Sequence, residues 1–289
     1  MSAHSVVLGY LSDYLVKPLQ TTTISPFLPF QLLVTLHAMR IAFEFRRARL
    51  AARKSEPLPW LHGLGTCMVM AMGGSSIASL VLGIPPPWIL SNTTVPTYAL
   101  VYSLLHHSPS DTPYMLMETL SPILDPILII ADGCARALAQ ASAGADTARL
   151  IAPGSHIASL LCTTIAGCGG GIIADMLDLR SNQWTFRVPS HFQSPSLDLR
   201  ASAAVGLLYT LTTDPSLYQP LYHWFYPPVG DPDKLDPTLP LLSPDESRAL
   251  GCLITAGTLL YKRYGTAPLI TSTAHPAKSK GRAKRSKEE

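Results

Sequence analysis

Beyond Glu118, three ionisable residues stand inside the otherwise apolar stretch at 115–140: Asp125, Asp132 and Arg136. Their intervals of seven and four place them near one face of an α-helix. Arg136 can compensate Asp132 one turn earlier, which leaves Asp125 and the nearby Glu118 to water, a cation or a neighbouring helix. Charges of this kind inside a span mark an ion path, or else pair two packed helices. A second set offers backbone chemistry. Gly73-Gly74, followed by Ser75 and Ser76, and Gly169-Gly170-Gly171 interrupt two apolar runs, the first of them uncharged. Glycines inside a span let the helix bend and bare carbonyls, tolerable only where protein or a water-filled cavity accepts them. Carbonyls and hydroxyls, with Thr66, Thr163 and Thr164 adding to the serines, suit a partly hydrated monovalent cation, and Asp132 would concentrate one. The expected site is therefore a pore constricted by both glycine strings, with Asp125, Asp132 and Arg136 as its charged wall. Enzymatic chemistry is not expected. There is no triad spacing, phosphate loop or metal motif, and His37, His62 and His156 read as isolated. The pair His106-His107 lacks a third metal ligand and reads as a solvated helix end.

The glycine strings are related. Laying GGSSIASL (73–80) over GGGIIADM (169–176) at an offset of 96 residues pairs Gly73 with Gly169, Gly74 with Gly170, Ile77 with Ile173 and Ala78 with Ala174. Glycine-broken segments in corresponding positions of two halves point to a membrane protein built from repeats, with its site where they meet.

The composition suits such a protein. Of 289 residues 47% are hydrophobic and only 14% charged, against about a quarter charged in soluble domains, and the mean hydropathy is +0.22. The five cysteines, Cys67, Cys134, Cys162, Cys168 and Cys252, sit in or beside apolar runs and read as small packing residues. No cleaved signal peptide is evident, so the first span must direct insertion. Seven spans are expected, at about 24–43, 60–83, 88–105, 115–140, 155–178, 197–213 and 247–264. The basic segment with Arg46, Arg47, Arg49, Arg53 and Lys54 reads as a cytoplasmic loop. Residues 1–23 then form a lumenal lead-in, at best a short interfacial helix. The run Pro85-Pro86-Pro87 ends the second span, and Asn92-Thr93-Thr94 is a formal glycosylation acceptor on the lumenal side. Residues 141–154 link the fourth and fifth spans. Residues 214–246 form a lumenal loop whose Tyr222, Trp224, Phe225 and Tyr226 favour the interface. Residues 265–289 are a basic, disordered cytoplasmic tail. The expected fold is an all-α integral membrane protein, two inverted three-helix repeats (24–107 and 115–213) plus one extra helix.

The stretch ARKSEPLPWLHGLGTCMVMAMGGSSIASLVLGIPPPWILSNTT resembles the trimeric intracellular cation channel family. The resemblance is carried by Arg53, Lys54, Pro57, Trp60, Gly73, Gly74, Leu82-Gly83-Ile84-Pro85-Pro86 and Ser91-Asn92, and by AGCGGGIIADM at 166–176. It implies a homotrimer of endoplasmic reticulum or nuclear envelope membrane with a pore in each subunit. Potassium and other monovalent cations would pass as counter-current to calcium movement. It also implies a bound anionic phospholipid, a phosphoinositide, with the charged-wall residues Asp125, Asp132 and Arg136 as the candidates beside it, and no other cofactor or nucleic-acid partner. The family's lysine-glutamate-valine motif has no counterpart in Ala131-Asp132-Gly133-Cys134-Ala135-Arg136, where Cys134 stands in the lysine's place. The long 214–246 loop and the basic tail suggest a divergent, fungal-type member. Two other readings stay open from the residues: a secondary transporter of a small solute, since broken repeats also serve alternating access, and a non-conducting scaffold or lipid-binding protein whose glycines permit close packing.

Overall fold

The computed structural model describes residues 3–27, 29–52, 58–217 and 241–265. Arg53, Lys54 and Pro57, most of the 214–246 segment with its aromatic residues, and nearly all of the basic tail lie outside the described residues. The described chain is all-α. In order, the helices are α1 (Ala3–Leu11), α2 (Lys17–Thr21), α3 (Leu32–Ala51), α4 (Trp60–Val81), α5 (Thr94–His106), α6 (Thr112–Thr119), α7 (Ser121–Ala139), α8 (Thr147–Ile151), α9 (His156–Met176), α10 (Ser190–Gln193), α11 (Leu197–Thr213) and α12 (Pro244–Leu260).

Among them α4 and α9 are each long and apolar enough to cross a membrane. These are the two helices that carry the glycine strings, and both run without interruption through them. The interruption expected at the glycines is therefore absent. A helical glycine costs only about 1 kcal/mol of propensity, which the packing described below offsets. α4 ends in a Schellman turn, with Gly83 at φ 71° and the amide of Ile84 donating to the carbonyl of Ser79 at 2.9 Å. The prolines follow that turn, and α5 starts only at Thr94, later than the expected 88.

α3 departs from its expected bounds at both ends. The chain between Thr22 and Leu32 is closed by the amide of Ile24 donating to the carbonyl of Phe30 and that of Leu32 to Thr22, and Gln31 is extended as the N-cap, so the helix starts at Leu32. It continues to Ala51, which makes Arg46, Arg47 and Arg49 part of a helix and not of a loop. Each of them grips another element. Arg46 donates to the carbonyl of Leu105 and pairs with Asp111, while Arg47 reaches Glu44, Glu118 and Asp125. The buried Arg49 donates to the carbonyl of Arg180 and to Asn182 Oδ1.

The fourth expected span divides. α6 and the helix from Ser121 onward meet at 93°, because Pro122 in the first turn needs no amide partner and restarts the helix. Beyond α7 the chain does not become a linker. It passes through one π-helical stretch, Gln140–Asp146, into α8, so helix extends to Ile151. Small residues permit this: a Cβ on Gly144 would lie 2.5 Å from Thr163 Cα of α9.

α4 packs on α9, α7 on α12, α11 on both α9 and α12, and α3 on α5 and α7. One cluster of buried side chains, with Phe43, Phe45, Tyr102 and Leu128 at its centre, joins α3, α4, α5 and α7. A second joins α7 to α12 through Ala131, Cys134, Ala137, Ala249 and Cys252. All five cysteines are free and buried in such packing.

Candidate functional site

The two spanning helices are antiparallel. Thr66 of α4 donates to the carbonyl of Leu179 just beyond α9, and at the opposite end Ala78 packs with Cys162. Between these points the backbones touch. A Cβ on Gly74 would lie 2.5 Å from the carbonyl oxygens of Ile165 and Ala166, and one on Gly170 would lie 2.5 Å from that of Met70 and 2.8 Å from that of Val69. A Cβ on Gly73 would meet Gly170 Cα at 3.0 Å, and one on Gly169 would meet Gly74 Cα at 2.8 Å. These contacts are reciprocal. Exchanging each residue for its partner at the offset of 96 turns Gly73–Gly170 into Gly169–Gly74, and turns the contacts of Gly74 with Ile165 and Ala166 into those of Gly170 with Val69 and Met70. The isoleucines follow the same rule, Ile173 over Gly73 and Ile77 over Gly169. Gly171 differs: nothing lies within 4 Å of its Cβ position.

A cavity of about 570 Å³ borders this crossing. Gly74, Ser75, Gly170 and Gly171 line it, and so do residues from both ends of the bundle: Pro87, Trp88 and Thr94 at one, Arg180, Lys262 and Arg263 at the other. Ser75 and Ser76 both donate to the carbonyl of Met72 at 2.9 Å, and Ser76 also accepts from Trp88 Nε1 at 2.9 Å. Of the two serines only Ser75 lines the cavity; Ser76 anchors a wall residue instead. Thr66, Thr163 and Thr164, expected along the path, donate to carbonyls of their own helices and stand outside its lining.

The charged wall is split. Asp132 and Arg136 face the cavity as a two-point pair, Nε to Oδ1 at 2.8 Å and Nη2 to Oδ2 at 3.2 Å. Asp125, two turns earlier, is buried away from the cavity between Arg47 of α3 and Arg263 beyond α12, at 3.1 and 2.8 Å. Its role in this structure is to tie three segments together.

Sequence reading missed the third member of the wall. His37 of α3 places Nε2 at 3.2 Å from Asp132 Oδ1, and its Nδ1 shares a 2.7 Å hydrogen bond with the hydroxyl of Tyr98 on α5. None of the three histidines read as isolated is so: His62 accepts from Trp184 Nε1 at 2.6 Å, and His156 lies 3.3 Å from Asp214. These partners are 58 (214 − 156) to 122 residues distant in sequence, and no local pattern announces them. His106 is likewise no solvated end, since its ring stacks on Tyr102 at 4.3 Å and bonds the carbonyl of Ala42. Arg40 and Glu44, a helical i,i+4 pair at 2.5 Å that also lines the cavity, was readable from spacing. Four basic groups on the wall sit on carboxylates: Arg40 on Glu44, Arg136 on Asp132, Lys262 on Asp198, Arg263 on Asp125.

Comparison with known proteins agrees with this architecture. Three solved structures share the fold. One, of a TRIC counter-ion channel described in connection with calcium release, aligns over 86% of this chain and 96% of its own, with a TM-score of 0.56 and 18% identity. A trimeric intracellular cation channel from C. elegans without Ca²⁺ aligns over 88% and 96%, with a TM-score of 0.58 and 20% identity. A trimeric intracellular cation channel from C. elegans with bound Ca²⁺ gives 88% and 97%, 0.55 and 17%. No curated protein sequence matches significantly. The family model of the TRIC channel matches residues 48–223, well over half the chain and all of the glycine crossing. With its two glycine-bearing spans packed reciprocally beside a charged cavity, the chain belongs to the TRIC channel family.

Proposed function

We propose that the protein conducts potassium and other monovalent cations across an intracellular membrane, of the endoplasmic reticulum or nuclear envelope, as counter-current to calcium release or uptake. The path is the cavity between α4 and α9, with α7 as its charged wall. The observation that carries this reading is the reciprocal glycine crossing beside a cavity whose lining reaches both ends of the bundle. A constriction of this kind opens by small relative movement of two helices, whose backbones meet at the glycines with only Ile77 and Ile173 reaching across. Glu44, Asp132 and Asp198 offset the charge of Arg40, Arg136 and Lys262 along the path, and Ser75 supplies an oxygen.

The reciprocity also supports two inverted three-helix halves, α3 to α5 and the fourth to sixth spans, with α12 as a seventh helix. In that arrangement Leu32 lies on the lumenal side and the basic tail on the cytoplasmic side. Channel relatives of this fold assemble as trimers, and we assign the same homotrimer to this chain, in a divergent, fungal-type branch marked by its 214–246 segment and tail. An anionic phospholipid, a phosphoinositide in the family resemblance, is placed at the basic mouth formed by Arg180, Lys262 and Arg263.

Purified protein in planar bilayers under a potassium chloride gradient is the test. The expected outcome is single-channel current reversing near the potassium equilibrium potential. Absence of cation current at every potential and calcium level removes the channel reading, and saturable uptake without unitary current would replace it with a transporter.

A further inference from the structure

The segment before the first span has an organisation that its charges conceal. α1, the π-helical Ser12–Val16 and α2 form one helical run from Ala3 to Thr21. At 1.5 Å per residue it is about 28 Å long, close to the ~30 Å of a hydrocarbon core. Its direction follows from its contacts. Lys17 Nζ lies 3.1 Å from Asp245 in the first turn of α12, yet Ser12–Val16 and α1, which precede Lys17, still pack on α12. The run therefore doubles back along α12, antiparallel to it. Leu8, Ser12 and Val16, at helical spacing of four, are buried on the inner face, and Val16 and Leu11 share a cluster with Ala249 and Cys252.

The outer face is apolar and open. Val7, Tyr10 and Tyr14 are 64%, 61% and 76% exposed. Charge is confined to one end: Asp13 and Lys17, 2.8 Å apart, stand near Asp245, while residues 3–12 contain no Asp, Glu, Lys or Arg. A helix lying along a membrane surface carries a charged face over its whole length. A helix that enters the bilayer keeps its charges at the end that meets water. Counting back residue for residue from the Lys17–Asp245 level brings Ala3 to about the level of Leu259, just short of Lys262.

We propose that residues 3–21 are a further membrane-embedded helix, seated on α12 and contacting lipid acyl chains through Val7, Tyr10 and Tyr14, so that the chain begins on the same side as its basic tail. This replaces the lumenal lead-in expected from sequence. It rests on the proposed orientation only for the names of the two sides, and not on conduction.

The test uses full-length protein in sealed vesicles with a membrane-impermeant maleimide. Cys168 lines the cavity, so the measurement uses a Cys168→Ala background; the other four native cysteines are buried, and that background protein provides the blank. Ala3→Cys should label from the same side that exposes an epitope on the basic tail, and Thr22→Cys only from the other side. Labelling of both from one side overturns the embedded helix. A photo-cross-linking residue in place of Tyr14 should capture lipid; capture of a second copy of the chain instead overturns the lipid assignment. Both readouts are independent of current, so a silent channel leaves them interpretable.

Discussion

Asp132 sits between a guanidinium on its own helix and an imidazole on another, and that position defines what the cavity wall can do. Arg136 next to a cation path raises the barrier to cations unless its charge is held by Asp132. Asp132→Asn is therefore expected to lower cation conductance. An uncompensated unit charge at contact distance in a partly hydrated site adds about 1–2 kcal/mol, which corresponds to roughly a 5- to 30-fold loss of unitary current. Arg136→Gln should move current in the opposite direction, and paired recordings of the two variants read both signs. Asp125 carries a different expectation. Asp125→Asn leaves Arg47 and Arg263 facing one another without their shared carboxylate. The loss should be about 2 kcal/mol, below that for a fully buried pair because both guanidiniums reach solvent. Thermal unfolding of the detergent-solubilised protein measures it, and conduction through molecules that remain folded should be nearly unchanged.

At the scale of elements, the glycines separate packing from lining. Gly170→Ala places a methyl group 2.5 Å from the carbonyl of Met70 and must push α4 and α9 apart, at a cost of about 1–3 kcal/mol. Gly171→Ala, one residue on, meets nothing and should stabilise by about 0.5–1 kcal/mol through helix propensity alone. Melting curves of the two variants side by side test this assignment. The same elements show what sequence could reveal. α4 and α9 were legible because they are long, almost without charge and share a repeated string, and their pairing followed from that repeat. The Asp132–Arg136 pair was legible from helical spacing. The course of α3 was not, since hydropathy ends a span where charges begin, whereas Arg46, Arg47 and Arg49 continue the helix by reaching partners on other elements. The helix over 140–151 looked like a linker because its residues are small, and smallness there serves contact with α9. The start of α12 could have been found. Ser243 and Glu246 form a capping box, whose spacing is visible in the sequence and sets the helix at Pro244 ahead of the expected 247. The partners of His37 lie on other helices, and only the fold brings them together.

For the molecule as a whole, one crossing of two antiparallel spans and one cavity beside it support a cation path in a membrane channel family. Gly171 offers the most direct access to that claim, because its Cβ position is open and it lines the cavity. Cys168 also lines the cavity, so the measurement belongs in a Cys168→Ala background. In that background, single-channel current through Gly171→Cys should be blocked by a positively charged thiol reagent and restored by reduction, while the protein without the new cysteine is unaffected. Current that continues undiminished after complete modification of the cysteine at position 171 would contradict a cation path between α4 and α9.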